Sequence, residues 1–236
     1  MVVDETNEPD ARTITVEVWS DVVCPWCYIG KRRFATGVQQ VTEQLAAEGI
    51  DLSVDVSYHA YQLDPTASPG VSGPVVDAYA KKFGGPERAR AILANVTATA
   101  AEVGLEFHMD RALRANTLLA HRIIWLAARP DSPADQDVVK ERLLRAYFTD
   151  GLDIGDPDVL ADCAAEVGFD RDEVAAFLDS DRGVAEVAAD LRFAHENGIT
   201  AVPTYVVNGK WAIPGAQDPD TFAQVLRKMA MSSNGS

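Results

Sequence analysis

The sequence predicts an α/β chain in which two strand-bearing segments flank a long all-helical one. Three observations carry this. Alternating β-branched runs occur only near the two ends, apolar stripes at helical spacing fill the middle, and capping or turn residues punctuate them. The chain has 236 residues, 47% hydrophobic and 24% charged, enough for a sizeable core without disulfide staples.

The first strand is TITVEVW, residues 13–19. After Cys24 the apolar positions Phe34, Val38, Val41 and Leu45 form one helical stripe, closed by Gly49. Residues 51–61 alternate again, with Leu52, Val54, Val56 and Tyr58 on one face. This is a β-α-β opening, whose crossover implies a parallel pair. Residues 65–73, PTASPGVSG, form a turn-rich linker. No strand is expected from there to about residue 181. One helical face is Ala89, Ile92, Leu93, Val96, Ala100 and Val103, and a second is Leu113, Thr117, Ala120 and Ile124. A third is Val139, Leu143, Tyr147 and Phe148, and a fourth is Leu160, Cys163, Ala164 and Val167. Ser132-Pro133, Asp156-Pro157 and Asp218-Pro219 each read as a cap before a proline at the first helical position. Asp170 with Glu173 reads as a capping box.

The C-terminal part returns to mixed structure. Val184, Val187, Ala188 and Leu191 mark a helix ending near Gly198. TYVVNGKWAIPG is then a hairpin turning at Asn208-Gly209, and Phe222, Val225, Leu226 and Met229 mark a last helix. The expected division is a disordered tail over 1–12, a discontinuous α/β domain over 13–64 and 182–236, and a helical insertion over 65–181.

A net charge of −15 argues against nucleic acid or an anionic membrane as partner, since both call for basic patches. Three cysteines cannot build a disulfide framework. The N-terminal residues show no basic and apolar signal pattern, and no apolar run reaches membrane-span length. A cytoplasmic protein is therefore expected, and a monomer and a homodimer both stay open.

The chemistry concentrates in SDVVCPWCYIGKRRF, residues 20–34. In such a compartment a C-x-x-C is metal-binding or catalytic more often than structural. Zinc needs four ligands, yet there is no second cysteine pair, and His59, His108, His121 and His195 show no ligand spacing among themselves. No metal is expected. A structural disulfide at this spacing closes a loop too short to stabilise much. Thiol–disulfide exchange fits better. At a helix start the unpaired N–H groups favour a thiolate on Cys24, with its side chain exposed and Cys27 shielded one turn in. Pro25 suits the first turn, and Trp26 adds a flat apolar surface. Val202-Pro203 precedes a strand, where either a cis bond or an ordinary strand-start proline fits. Cys163 falls on a core stripe.

With these features together the chain resembles the thioredoxin superfamily, most closely the DsbA family and its FrnE-like group, which is related to 2-hydroxychromene-2-carboxylate isomerases and kappa-class glutathione transferases. The carriers are the cysteine segment, YQLDP (61–65), ANTLLAHRI (115–123), AYFTDGLDIGDPDVL (146–160) and GITAVPTYVVNGKWAIPGAQ (198–217). The resemblance implies a thioredoxin fold interrupted by helices and a cis Pro203 against the cysteines. It implies Cys24 as nucleophile, Cys27 as resolving thiol, and Val202 offering backbone groups to an extended substrate. It further suggests Thr204, His121, Trp211 and Gln217 along the substrate surface. Glu17 is the candidate for a buried carboxylate serving Cys27, although a carboxylate on the strand's exposed face fits the pattern equally. Periplasmic oxidases of the family carry histidine where this chain has Trp26, so a milder, more reducing dithiol is expected. The implied activity is a thiol–disulfide oxidoreductase, reductase or isomerase, acting on disulfide-containing proteins or small-molecule thiols. It needs no organic cofactor, with glutathione as a candidate co-substrate. The alternative is a glutathione-dependent isomerase or transferase of a small aromatic or polyketide-like compound. Retention of both cysteines counts against it, because those relatives typically carry serine at the first position.

Overall fold

The computed structural model describes residues 10–232. Strand β1 (Asp10–Ser20) leads into helix α1 (Pro25–Ala46), which crosses over to the parallel strand β2 (Ile50–Ala60). The strand begins earlier than its side chains suggest. Asp10, Ala11 and Arg12 pair with Ile50, Asp51 and Leu52, and Arg12 donates to the Ala230 carbonyl at 2.8 Å. Ladder pairing satisfies backbone groups whatever side chains they carry, so polar composition misled the tail assignment at these three positions. Residues 1–9 of that expected tail lie outside the described residues.

A two-residue bridge follows: β3 (Gly73–Pro74) pairs antiparallel with β4 (Leu113–Arg114). Between and after these lie the helices α2 (Val75–Phe83), α3 (Pro86–Glu102), α4 (Leu118–Ala127) and α5 (Gln136–Arg145). A π-helical turn over Ala146–Asp150 extends α5, shifting its buried stripe onto Tyr147 and Phe148. Then come α6 (Pro157–Ala165), α7 (Arg171–Asp179) and α8 (Val184–Glu196). The chain closes with β5 (Thr204–Val207), β6 (Trp211–Pro214) and α9 (Pro219–Ser232).

Several local signals read correctly. Asp156 accepts from the Asp158 N–H, and Asp170 from the Glu173 N–H, each capping its helix. Asn208 and Gly209 both take positive φ, 50° and 64°, as a type I′ hairpin turn requires. Others did not. Ser132-Pro133 starts no helix; the Ser132 hydroxyl donates to the Ala134 carbonyl, and α5 begins after Asp135. Leu113 sits in β4 rather than on α4, and α2 had no clear stripe to announce it.

The main sheet runs β2-β1-β5-β6, with β5 and β6 antiparallel. One face carries Ile14, Val16, Val18, Tyr205 and Val207, all buried. Against it, Phe34 of α1 and Phe222 of α9 pack on the Tyr205 ring with centroids 5.0 and 4.8 Å away. The opposite face carries Trp19, which stacks on His59 and on Phe193 of α8.

Helices α1 and α9 approach closely at Gly37. A Cβ there would lie 2.7 Å from both the Phe222 Cβ and the Pro219 carbonyl. In an open helix Gly→Ala stabilises by roughly 0.5–1 kcal/mol. Here the added methyl has no room, so Gly37→Ala is expected to destabilise by about 1–3 kcal/mol. The shift of the urea midpoint checks this, and its sign alone distinguishes a packed α1–α9 contact from a loose one.

Candidate active site

The start of α1 brings the two cysteines together. Cys24 is the N-cap, with extended backbone angles of φ −87° and ψ 112°. Its carbonyl accepts from the Cys27 N–H at 3.0 Å and from the Tyr28 N–H at 3.4 Å. Pro25 occupies the first helical position, where no N–H is needed. Both cysteines are free, and the Cys24 thiol donates to the Val202 carbonyl at 3.6 Å. The Val202–Pro203 peptide bond is cis. Pro203 also lies along α1: a Cβ on Gly30 would meet the Pro203 ring at 3.0 Å and the Tyr205 hydroxyl at 2.8 Å.

One expectation is corrected. Cys24 was expected to stand exposed, yet it is 3% accessible against 4% for Cys27. The cause is the fit of the 202–203 turn over the helix start. Trp26 is the outward residue, 41% accessible. The expected asymmetry survives in another form, through what surrounds Cys27. Burial pushes the Cys27 thiol well above the ordinary range, and the hydrogen bond to Cys24 and the negative charge of Cys24 push it further. The charge of Lys140 and the Asp21 N–H act the other way.

The remaining expected residues divide. Thr204 turns its hydroxyl inward to the Ala201 carbonyl at 2.8 Å, bracing the 202–203 turn. Gln217 donates to the Pro214 carbonyl at 2.6 Å. It belongs to the segment whose Gly215 N–H reaches the Pro203 carbonyl at 2.7 Å. His121 is buried, with Nε2 3.1 Å from Asp21 Oδ1 and 3.0 Å from the Tyr61 carbonyl. Trp211 pairs with Val207, at the end of the hairpin away from Pro203, so the structure does not bring it to the cysteines. Glu17 is not brought there either. Its side chain is 40% accessible, on the α8 face, with Oε1 3.5 Å from His59 Nε2. His59 in turn contacts Asp190 of α8 at 3.0 Å. A cavity of about 310 Å³ on that side is lined by Glu17, His59, His121, Gln136 and Asp190 but by neither cysteine. Cys163 is buried in the core, and burial raises its thiol to about 11.

Sequence reasoning missed Asp21, Lys140, Tyr79 and Tyr205. Asp21 is fully buried. Its Oδ1 accepts from the Val22 N–H at 2.8 Å and its Oδ2 from the Leu63 N–H at 2.8 Å. Its place three residues before Cys24 was a usable signal. Burial keeps the Tyr79 and Tyr205 hydroxyls protonated, helped at Tyr79 by the charge of Cys24 and at Tyr205 by that of Cys27 and then Cys24.

Helix α5 is clamped over this site. The Tyr28 hydroxyl donates to Glu141 and the Tyr58 hydroxyl to Asp137, both at 2.6 Å. Lys31 lies 2.9 Å from Asp137 and 3.0 Å from Glu141, and Arg32 also pairs with Glu141. Burial would raise the Glu141 carboxyl, but the Tyr28 hydrogen bond and the Lys31 and Arg32 charges outweigh it, leaving it below the usual range.

A mixed sheet whose β-α-β opening ends in a C-x-x-C, facing a cis proline before the β5–β6 hairpin, defines a thioredoxin-fold dithiol protein with a helical insertion. The profile of the DSBA-like thioredoxin domain matches residues 15–227. The chain belongs to that family of DsbA-like thiol oxidoreductases. It is similar to a probable DsbA oxidoreductase of Streptomyces coelicolor, with 29% identity, a TM-score of 0.83, and coverage of 94% of this chain and 92% of that one. The uncharacterized protein YwbO of Bacillus subtilis (strain 168) is 29% identical over 217 residues, 91% of this chain and 96% of its own length. The fold also matches the cytosolic disulfide reductase DsbM of Pseudomonas aeruginosa, determined with GSH. There the identity is 19%, the TM-score 0.61, and coverage 91% of this chain and 98% of that one. Among the described residues no helix is long and apolar enough to cross a membrane.

The clamp gives a pH prediction. A carboxyl lowered in the folded state adds stability above its unfolded value, about 4.3 for glutamate. That stability is lost as pH falls through the folded value. Glu141→Gln is therefore expected to be less stable than wild type by about 1 kcal/mol at neutral pH. The two proteins should converge as the pH drops below about 4. Urea midpoints across that range check it, and a gap constant with pH would show that the clamp is not ionic.

Proposed function

We propose that this protein is a cytoplasmic dithiol–disulfide oxidoreductase, acting as a reductase or isomerase on disulfide-containing protein or small-molecule substrates. The observation that carries the reading is the pair itself: two free cysteines at the start of α1, with the Cys24 thiol aimed at the Val202 carbonyl. In this mechanism the Cys24 thiolate attacks a substrate sulfur, and the electron pair of the broken bond leaves on the other substrate sulfur. Cys27 then attacks Cys24 Sγ, closing the Cys24–Cys27 bond and expelling the second substrate sulfur as a thiolate. Two electrons pass from the dithiol to the substrate.

The environment of Cys27 supports this order. Burial and Cys24 together hold its proton in the reduced enzyme. Once Cys24 is tied up in the mixed disulfide, its negative charge is gone, and only burial still opposes ionisation. Val202 presents backbone groups beside the sulfur to a substrate in extended conformation. The chemistry needs neither metal nor organic cofactor, and glutathione is the candidate co-substrate.

Cys24→Ser is expected to abolish insulin disulfide reduction. Cys27→Ser is expected to accumulate mixed disulfides that mass spectrometry detects. Turnover of a glutathione-linked aromatic substrate that survives Cys27→Ser would instead favour the isomerase or transferase reading. With Trp26 in place of histidine, the reduction potential against glutathione buffers is expected to be more negative than that of the family's periplasmic oxidases. A potential at or above theirs would sink the reducing role.

A further inference from the structure

The described residues include one buried charge with no structural duty to explain it. Lys140 of α5 is 1% accessible, among the buried residues Val139, Leu143 and Leu144 of the same helix. Its Nζ makes no hydrogen bond to the protein. What it has is the Tyr58 ring, 5.7 Å from Nζ. Burying an ammonium without partners costs several kcal/mol. A lysine stem packed for its methylenes alone would send its head to water, and this one does not.

The groups facing it identify its business. From the start of α1 and the loop before it come Cys27, Asp21 and Cys24, in that order of influence, each favouring the ammonium, while Lys31 of α1 opposes it. From β2 comes the Tyr58 ring. An internal ion pair with Asp21 is the plain alternative. Yet the Asp21 oxygens are engaged by Val22, Leu63 and His121, and Lys140 bonds to neither. The carboxylates of α5 are engaged by Lys31, Arg32 and the two tyrosines. The cysteine pair is what remains. Burial lowers the Lys140 ammonium below the ordinary lysine range, which makes a neutral amine accessible to it.

We propose that Lys140 exchanges the Cys27 proton during resolution of the mixed disulfide, so that the inserted helices supply a working part of the dithiol site. Lys140 acts through Cys27 and touches no substrate. Because Nζ makes no hydrogen bond to the sulfur, the proton leaves the Cys27 thiol and reaches the neutral Lys140 amine through one intervening water, giving a thiolate and an ammonium. The thiolate attacks Cys24 Sγ, the Cys24–Cys27 bond forms, the Cys24–substrate bond breaks, and its electron pair leaves on the substrate sulfur. The ammonium then returns its proton to that thiolate or to solvent. In the oxidising direction the same proton moves back to Cys27.

This rests on the dithiol reading above, and the test separates the two. Reduced full-length protein is mixed with the chromogenic disulfide DTNB. Attack by Cys24 releases one thionitrobenzoate, and resolution by Cys27 releases a second. Lys140→Met keeps the volume and removes a buried charge, a change that tends to preserve or raise stability. In that variant the second phase is expected to slow relative to the first by about 100-fold, the lower end of a general acid–base contribution, and its pH midpoint to move upward. Lys140→Arg keeps the charge without a removable proton and is expected to stay slow. Equal second phases with equal pH midpoints in wild type and Lys140→Met would overturn the proposal. Recovery in Lys140→Arg would overturn the proton exchange in favour of a fixed charge. A wild type without a second phase would overturn the dithiol reading and this proposal with it.

Discussion

The docking of α5 onto α1 and β2 is the contact on which the site depends. It joins a helix from the middle of the chain to the two elements that frame the cysteines. The contact is polar at its rim, through Lys31, Arg32, Asp137 and Glu141, and aromatic beneath, through Tyr28 and Tyr58. Exposed ion pairs contribute little singly. Here two hydroxyls and two cations converge on two carboxylates, and a bond to a charged acceptor is roughly twice as strong as a neutral one. The arrangement fixes the rotation of α5 as well as its position. Rotation matters, because it decides that Lys140 rather than a neighbour turns inward, over the Tyr58 ring.

With α5 in place, the two cysteines differ although they are equally buried. Cys24 ends a strand-to-helix loop, and its sulfur meets the chain at Val202. Cys27 lies one turn inside, buried and beside Cys24. The difference is therefore electrostatic and local rather than a matter of which sulfur solvent reaches. It is also state-dependent, since part of what protonates Cys27 disappears when Cys24 forms a bond.

Much of this was legible in the sequence, and the misses have physical reasons. The strands of the main sheet, the hairpin at Asn208-Gly209 and the caps at Asp156 and Asp170 are local effects, so local spacing reported them; the two-residue pair β3 and β4, against the expectation of no strand there, is too short to carry an alternation. The cysteine pair and Val202-Pro203 were legible as types, and the family resemblance joined them across the chain. Accessibility was not legible: Cys24 is covered by a turn far along the sequence. Lys140 was invisible for the same reason. A lysine beside Val139 on an amphipathic helix looks like any solvated lysine, and only the packing of α5 against β2 turns it inward. Trp211 was misplaced because the resemblance does not carry the hairpin register, which puts it opposite Val207 rather than beside Pro203.

Strand parity explains why the charge near Cys27 comes from outside β1. Side chains alternate along a strand, so Ile14, Val16 and Val18 face α1 and α9, while Glu17 and Trp19 face α8. No residue of Glu17's parity can reach the helix start without shifting the register, and a shift by one would put the apolar set on the wrong face. A titratable group serving Cys27 therefore has to stand beyond the strand's end, as Asp21 does, or arrive from another layer, as Lys140 does. Asp21 is committed to two backbone N–H groups and a histidine, a setting that fixes the loop before Cys24. Lys140, with no such commitments, is the group whose proton is free to move.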